Sequence, residues 1–275
     1  MTATMPAATD PRLPTLDELG ADLLITTPSQ RRIALARPFI GVGIYALAVA
    51  FGLWWLAPLI VFLIFVAVVT VTHDVVHSTL GLNRRQTDWA LFFTGVVLLE
   101  SGHAYRTTHL QHHKVFPGEN DPEGYPAKIS MLGAICYGPV FLARLWWWAY
   151  QRQARRPRQR IWLVVEALMP WIAITAGVLL WRVTPYVLLY AALAIVGSWV
   201  YPLLTVHLPH RKYGDTPLTQ THTLRGHIVP ALFLELTYHL EHHLYPQVPS
   251  HHLKQLAQRL DPFFDLAGVK RRRVP

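Results

Sequence analysis

From Pro38 to Thr72 the chain carries no Asp, Glu, Lys or Arg. One membrane crossing needs about 20 apolar residues, so this run is too long for a single helix. Trp54, Trp55 and Pro58 fall near its middle. Aromatic side chains favour the membrane interface and proline favours a helix start or break. The pattern predicts a hairpin of two helices over 38–56 and 58–80. A second apolar pair follows at 161–181 and 184–206, turned at Arg182 and Pro185. The fold class is therefore expected to be all-α integral membrane, four transmembrane helices arranged as two hairpins, with a cytoplasmic helical cap.

Two shorter apolar stretches, 89–99 and 228–238, cannot cross a bilayer, and each runs into a group of histidines. With Met131 to Tyr150 they read as interfacial or partly re-entrant segments. Thr15 and Glu18 have capping-box spacing and predict a short amphipathic helix over 15–24. Residues 1–14 are rich in Thr, Ala and Pro, with no basic head before an apolar run, so a secretory signal is not expected there.

Basic residues set the expected orientation. Arg31, Arg32 and Arg37 precede the first span, and Arg152, Arg155, Arg156, Arg158 and Arg160 precede the third. Arg211 and Lys212 follow the fourth, Lys270 to Arg273 close the chain, and Arg182 alone lies in the opposite turns. The positive-inside rule then puts both termini, the connection 81–160 and the active site in the cytoplasm. The expected division is an N-terminal segment 1–37, a membrane domain 38–260 and a basic tail 261–275. Glu166 is the one acid in an expected span; near the cytoplasmic end it can snorkel, and no role follows for it.

Composition agrees with a membrane setting. Hydrophobic residues make up 52% of the chain and charged residues 15%, against about 25% charged in a soluble domain. Lys and Arg outnumber Asp and Glu by 25 to 16; with this apolar excess the charge belongs to loops flanking a bilayer, and no nucleic-acid partner is expected. The single cysteine, Cys136, excludes an intramolecular disulfide and a thiolate metal cluster.

The 15 histidines are the outlier. His73 and His77 are four apart. His109, His112 and His113 form one HxxHH set, and His239, His242 and His243 form another. On a helix, positions i, i+3 and i+4 share a face, so each set can aim several imidazoles at one point. One tetrahedral zinc takes about four ligands, so eight convergent histidines suggest two ions with places left for water or dioxygen. Imidazole suits Fe, Cu, Zn and Ni alike. Asp follows His73 and Leu follows His109, which disfavours an HExxH zinc protease.

The order HDVVH, HLQHH, HLEHH resembles the membrane fatty acid desaturase superfamily, which includes carotenoid hydroxylases and ketolases. The resemblance spans about residues 58–260 and includes NDPEG (Asn120 to Gly124) and YPQVPSHHL (Tyr245 to Leu253). It implies an oxidoreductase in which two Fe ions activate dioxygen against an unactivated C–H bond, with no catalytic residue beyond the metal ligands. The superfamily usually adds a histidine between the second and third boxes. His207 is the first choice, leaving the fourth helix where the others converge; His210, in an HLPHR run like that of carotenoid ketolases, and His222 are further candidates, ahead of His227. His103 reads equally as a spare ligand or a core hydrogen bonder, and His251 and His252 as surface residues. Asp74 and Asp121 are candidates to accept the second ring N–H of a ligand; Glu241 points away from its neighbours' shared face and is not a candidate ligand.

The lipid substrate is expected to be a carotenoid, hydroxylated or ketolated on its end ring, with an acyl-lipid desaturase as the alternative. With one cysteine and no flavin or haem pattern, electrons are expected from a separate carrier such as a ferredoxin or cytochrome, for which the arginines at 152–160 are a candidate dock. A histidine-lined metal transporter would want polar residues inside the spans, which are almost bare of them. A zinc-dependent membrane hydrolase is a further alternative, needing neither oxygen nor reductant.

Overall fold

The computed structural model describes residues 12–275. Most of the N-terminal stretch read above as lacking a signal lies outside the described residues. Four segments are long and apolar enough to cross a membrane: Pro28–Ala50, Trp54–Val76, Pro157–Leu179 and Tyr186–His210. The chain is an all-helical integral membrane protein whose regular strands are confined, among the described residues, to one short parallel pair, Leu224–Arg225 with Arg272–Arg273.

Helix α1 (Pro28–Ala50) starts well before the expected residue 38. Thr27 and Gln30 form a reciprocal capping box and Pro28 occupies the first turn, where its missing N–H costs nothing. Arg31, Arg32 and Arg37 therefore lie on the helix rather than ahead of it, and α1 runs across the expected boundary at 37. It closes at Gly52, whose φ of +76° favours glycine. The capping box at Thr15 is present, but its helix, Leu16–Leu19, lasts one turn because Gly20 at φ +109° breaks it.

Helix α2 (Ala57–Val76) is the axis of the fold. Its span is 67% buried, against 11% for α1, so α2 is central and α1 faces outward. The outward faces carry Phe39, Ile40, Leu168, Trp171 and Ile172, a surface suited to lipid. Lipid tails are as apolar as leucine, so helix association there rests on close packing rather than on water exclusion. Glycine permits it: a Cβ at Gly177 in α6 (Pro157–Leu179) would lie 2.8 Å from the Leu188 Cα of α7 (Tyr186–Gly197).

Between the hairpins run α3 (Arg84–Leu98), α4 (Gly102–Val115) and α5 (Met131–Arg152). After the fourth span come α8 (Ile228–Leu232), α9 (His239–Leu244) and α10 (Leu253–Leu266). Helix α10 is strongly amphipathic and crosses the expected tail boundary at 260. Its Leu253, Leu256, Leu260 and Phe264 pack with Leu23 and Leu240 in a second core, each contributing about 1.5–3 kcal/mol by leaving water. Arg259 donates to the Leu19 carbonyl at 2.6 Å and pairs with Asp22. The segment from Leu19 to Leu23 and helix α10 thus brace each other.

Candidate metal centre

Three elements deliver the eight box imidazoles. His73 sits in the last turn of α2 and His77 is its C-cap residue. Helix α4 opens with the Ser101 hydroxyl accepting from Ala104 N–H and carries His109, His112 and His113 in its final turns. Helix α9 carries His239, His242 and His243.

The rings form two adjoining groups. His73, His77, His109, His113 and His242 each offer a ring nitrogen, all within 4.8 Å of one another. His242 Nε2 lies 2.8 Å from His73 Nε2 and 3.0 Å from His113 Nε2, which is 3.1 Å from His109 Nε2. His112, His210 and His243 make the second group. His210 Nε2 is 3.2 Å from His112 Nε2 and 3.0 Å from His239 Nε2, and His239 Nε2 is 3.1 Å from His243 Nε2. The rings of His113 and His243 stack across the seam at 4.3 Å.

This donor set fits metal ions. Facing nitrogens can share one proton per contact, yet His113 and His242 each meet two neighbours through the same Nε2. His77 Nε2 is buried with no partner at all. A cation in each group satisfies these lone pairs together. Burial first, then the neighbouring imidazoles, push His109, His113, His239, His242 and His243 well below the ordinary histidine value. His77 falls to about 2 for the same reasons. All are then neutral at pH 7, the form that ligates a metal. His112 moves the other way: burial lowers it, but the Asp121 hydrogen bond and charge outweigh that.

The outward nitrogens are held in place. His112 Nδ1–H donates to Asp121 at 2.8 Å, and His109 Nδ1–H to Glu123 at 3.1 Å. Glu123 also accepts from the Thr108 hydroxyl at 2.7 Å, and burial raises its carboxyl to about 7. Glu123 lies inside the NDPEG run, two residues past Asp121; that proximity was the available signal for it. Asp74 departs from expectation. Its carboxylate is 3.9 Å from His73 Nδ1, too far for a hydrogen bond, and instead accepts from Ser250 N–H at 2.9 Å and the Ser250 hydroxyl at 2.6 Å. It ties the first histidine box to the turn that follows the third.

His207 is not among the gathered rings. Its Nδ1–H donates to the Pro126 carbonyl at 2.9 Å, and His210 takes the expected ninth position. The reason is local: Pro202–His207 is π-helical, and this wider turn rotates the following residues relative to an α-helical phase. His210 Nδ1–H is oriented by the Gln220 carbonyl at 3.2 Å. His222 is 2.6 Å from the Arg211 carbonyl, outside both groups, and His227 is exposed. His103 is a core hydrogen bonder, 2.6 Å from Glu166. His251 and His252 are not surface residues: both are half-buried, and His252 Nδ1–H donates to the Leu23 carbonyl at 2.9 Å. Glu241 is buried against Thr223 and Arg225, away from the rings.

A cavity of about 230 Å³ reaches both groups, touching His73, His109, His112 and His239. Its walls are apolar, among them Phe65, Val69, Leu204 and Phe233. Tyr105 closes one side, its ring stacked on His109 at 4.7 Å.

The family model described as Fatty acid desaturase matches residues 50–275. Dihydrorhizobitoxine desaturase of Bradyrhizobium elkanii is 26% identical over 260 residues, covering 79% of this chain and 71% of that protein.

Proposed function

Because this chain belongs to the fatty acid desaturase family, whose members are dioxygen-dependent iron oxidoreductases acting on lipids in a membrane setting, we propose that it holds two iron ions and oxidises a C–H bond of a long lipid. The observation that carries the reading is the gathering of nine buried or half-buried imidazoles into two adjoining groups at the end of an apolar cavity. His73, His77, His109, His113 and His242 hold one ion; His112, His210, His239 and His243 hold the other. When bound, the iron pair supplies the dioxygen-dependent removal of hydrogen from an unactivated carbon. The protein's own part is positional. Asp121 and Glu123 orient two rings, and Phe65, Val69 and Phe233 exclude water and align a chain entering from the bilayer.

The substrate is a carotenoid end ring, hydroxylated or ketolated. His210 supports this choice, since the second histidine of the HLPHR run, and not its first, His207, is aimed at the second group. The second reading is desaturation of an acyl lipid; the relative's name supports desaturation as the reaction, not the acyl substrate. Electrons come from a separate carrier such as a ferredoxin or cytochrome, docking on the arginine face of α5 and α6. Both termini and the metal centre face the cytoplasm, as the arginine distribution indicates. Expression in carotenoid-producing cells, followed by mass spectrometry of lipid extracts, tests the reading. A gain of one oxygen on a carotenoid supports it, and loss of two hydrogens from an acyl chain selects the second. No change in either overturns both.

A further inference from the structure

Behind Tyr105, on the side away from the lipid cavity, lies a second cavity of about 300 Å³. Two carboxyl groups, Glu100 and Glu166, face it, and so do Ser101, Tyr105 and Tyr201. Glu166 does not snorkel to the surface; it is 1% exposed. Its carboxylate accepts from the Ser101 hydroxyl at 2.5 Å, from His103 N–H at 3.3 Å and from His103 Nδ1–H at 2.6 Å. Three donors face it. Glu100 meets fewer. The Ser198 hydroxyl donates to Glu100 and also lies 2.8 Å from the Ala194 carbonyl. Burial raises the Glu100 carboxyl to about 7, outweighing the Ser198 hydrogen bond, which lowers it.

His103 extends this pair toward the polar side. Its ring lies flat on Trp162, 4.9 Å away, and its Nε2 is buried without a hydrogen-bond partner, 3.5 Å from Asp88. Asp88 accepts from Arg106 at 3.0 Å, and Arg106 reaches Gln159 at 2.7 Å. Arg106 and Gln159 line an open recess with Arg84, Arg152 and Arg156. An imidazole between two carboxylates can take a proton at one nitrogen and release one from the other. The cavity beyond is mostly apolar, with Glu100, Ser101, Tyr105 and Glu166 among its polar groups, and it is roomy enough for water.

We propose that Asp88, His103, Glu166 and Glu100 form a proton relay from the arginine-lined recess to the Tyr105 wall of the metal centre. Hydroxylation and desaturation alike reduce dioxygen with two electrons and two protons beyond what the substrate gives. The electrons come from the external one-electron carrier and the protons from water at the recess. A buried clamp alone would be served as well by neutral groups, since burying charge in a span is costly.

The need for protons rests on the proposed function, but the test does not. Infrared spectra of the metal-free full chain in nanodiscs, moved into D2O, follow the carbonyl band of the protonated Glu100 carboxyl. The band should be present, absent in Glu100→Gln, and shifted by deuterium fast in the parent chain. His103→Phe, which keeps the stack on Trp162, and the isosteric Glu166→Gln should each slow that exchange by at least about tenfold. In the iron-loaded chain the same variants should lower turnover and enlarge the solvent isotope effect with iron content unchanged. A missing band, or exchange in both variants at the parent rate, overturns the relay. Lost turnover across every chain, with exchange as expected, sinks the oxidase reading and leaves the relay standing.

Discussion

His242 Nε2 lies 2.8 Å from His73 Nε2, although the two residues are 169 positions apart in the sequence, and both rings are buried. Such a contact between two neutral imidazoles is worth about 1 kcal/mol. That is little reason to bury a whole set of rings together, and a shared cation supplies the missing one. His242→Ala should remove one iron per chain and His112→Ala the other, each leaving about one ion by elemental analysis. Loss of both ions in either variant, or of neither, contradicts the division into two groups.

His210 and His207 separate by the same measurement. His210→Ala should empty the second group. His207→Gln should retain both ions and lose only the bond to Pro126, about 0.5–1.5 kcal/mol of stability. The reverse pattern would restore His207 as the ninth ligand.

Much of this arrangement was legible in the chain because it follows from short-range rules. The charge-free run from Pro38 to Thr72 announced α1 and α2, and the i, i+3, i+4 spacing put each histidine set on one face. What spacing could not show is phase and long-range pairing. The π-helical Pro202–His207 turns His210 where an α-helix would have favoured His207. Asp74 stands next to a box histidine yet is spent on Ser250, 176 positions away. Glu166 read as a snorkelling acid because its partners, Ser101 and His103, come from a different part of the chain.

The ring-orienting carboxylates should tune metal affinity. Asp121→Asn keeps size but loses the charged acceptor for His112, and an outer partner of this kind is worth about 10–100-fold in metal affinity. Glu123→Gln should act likewise through His109. Competition with a chelator reads both. Asp74→Ala should behave differently: no direct effect on metal affinity, but a loss of about 1.5–3 kcal/mol in thermal or denaturant stability as Ser250 detaches.

Stability should also depend on pH through Glu100, which lies in the α3–α4 loop outside the spans. Burial holds its folded-state value at about 7, above its ordinary value of 4.5. Below 4.5 both folded and unfolded chains carry the proton, and the contribution is fully present. Between 4.5 and 7 the unfolded chain ionises first, so stability falls as pH rises, and above 7 the loss is complete. Melting temperatures at pH 5 and pH 8 should therefore differ less in Glu100→Gln than in the parent chain. Glu123 is raised to about 7 as well, so the difference should shrink without vanishing.

The lipid cavity offers the sharpest test of what the metal centre acts on. Val69 lies on α2, one turn before His73, and its side chain forms part of the apolar wall. Val69→Phe adds bulk directed at the path along which a chain would reach the rings. The added volume costs about 1–3 kcal/mol by overpacking, which a four-span protein should tolerate. No imidazole is touched, so iron content should stay at the parent value. Turnover of a bulky end ring should drop by at least about tenfold, since small volume changes in an apolar pocket are worth 10–200-fold. A slender acyl chain should lose less. Equal losses on both substrates would mean that the cavity does not choose between them, and unchanged turnover on both would mean that the substrate enters elsewhere.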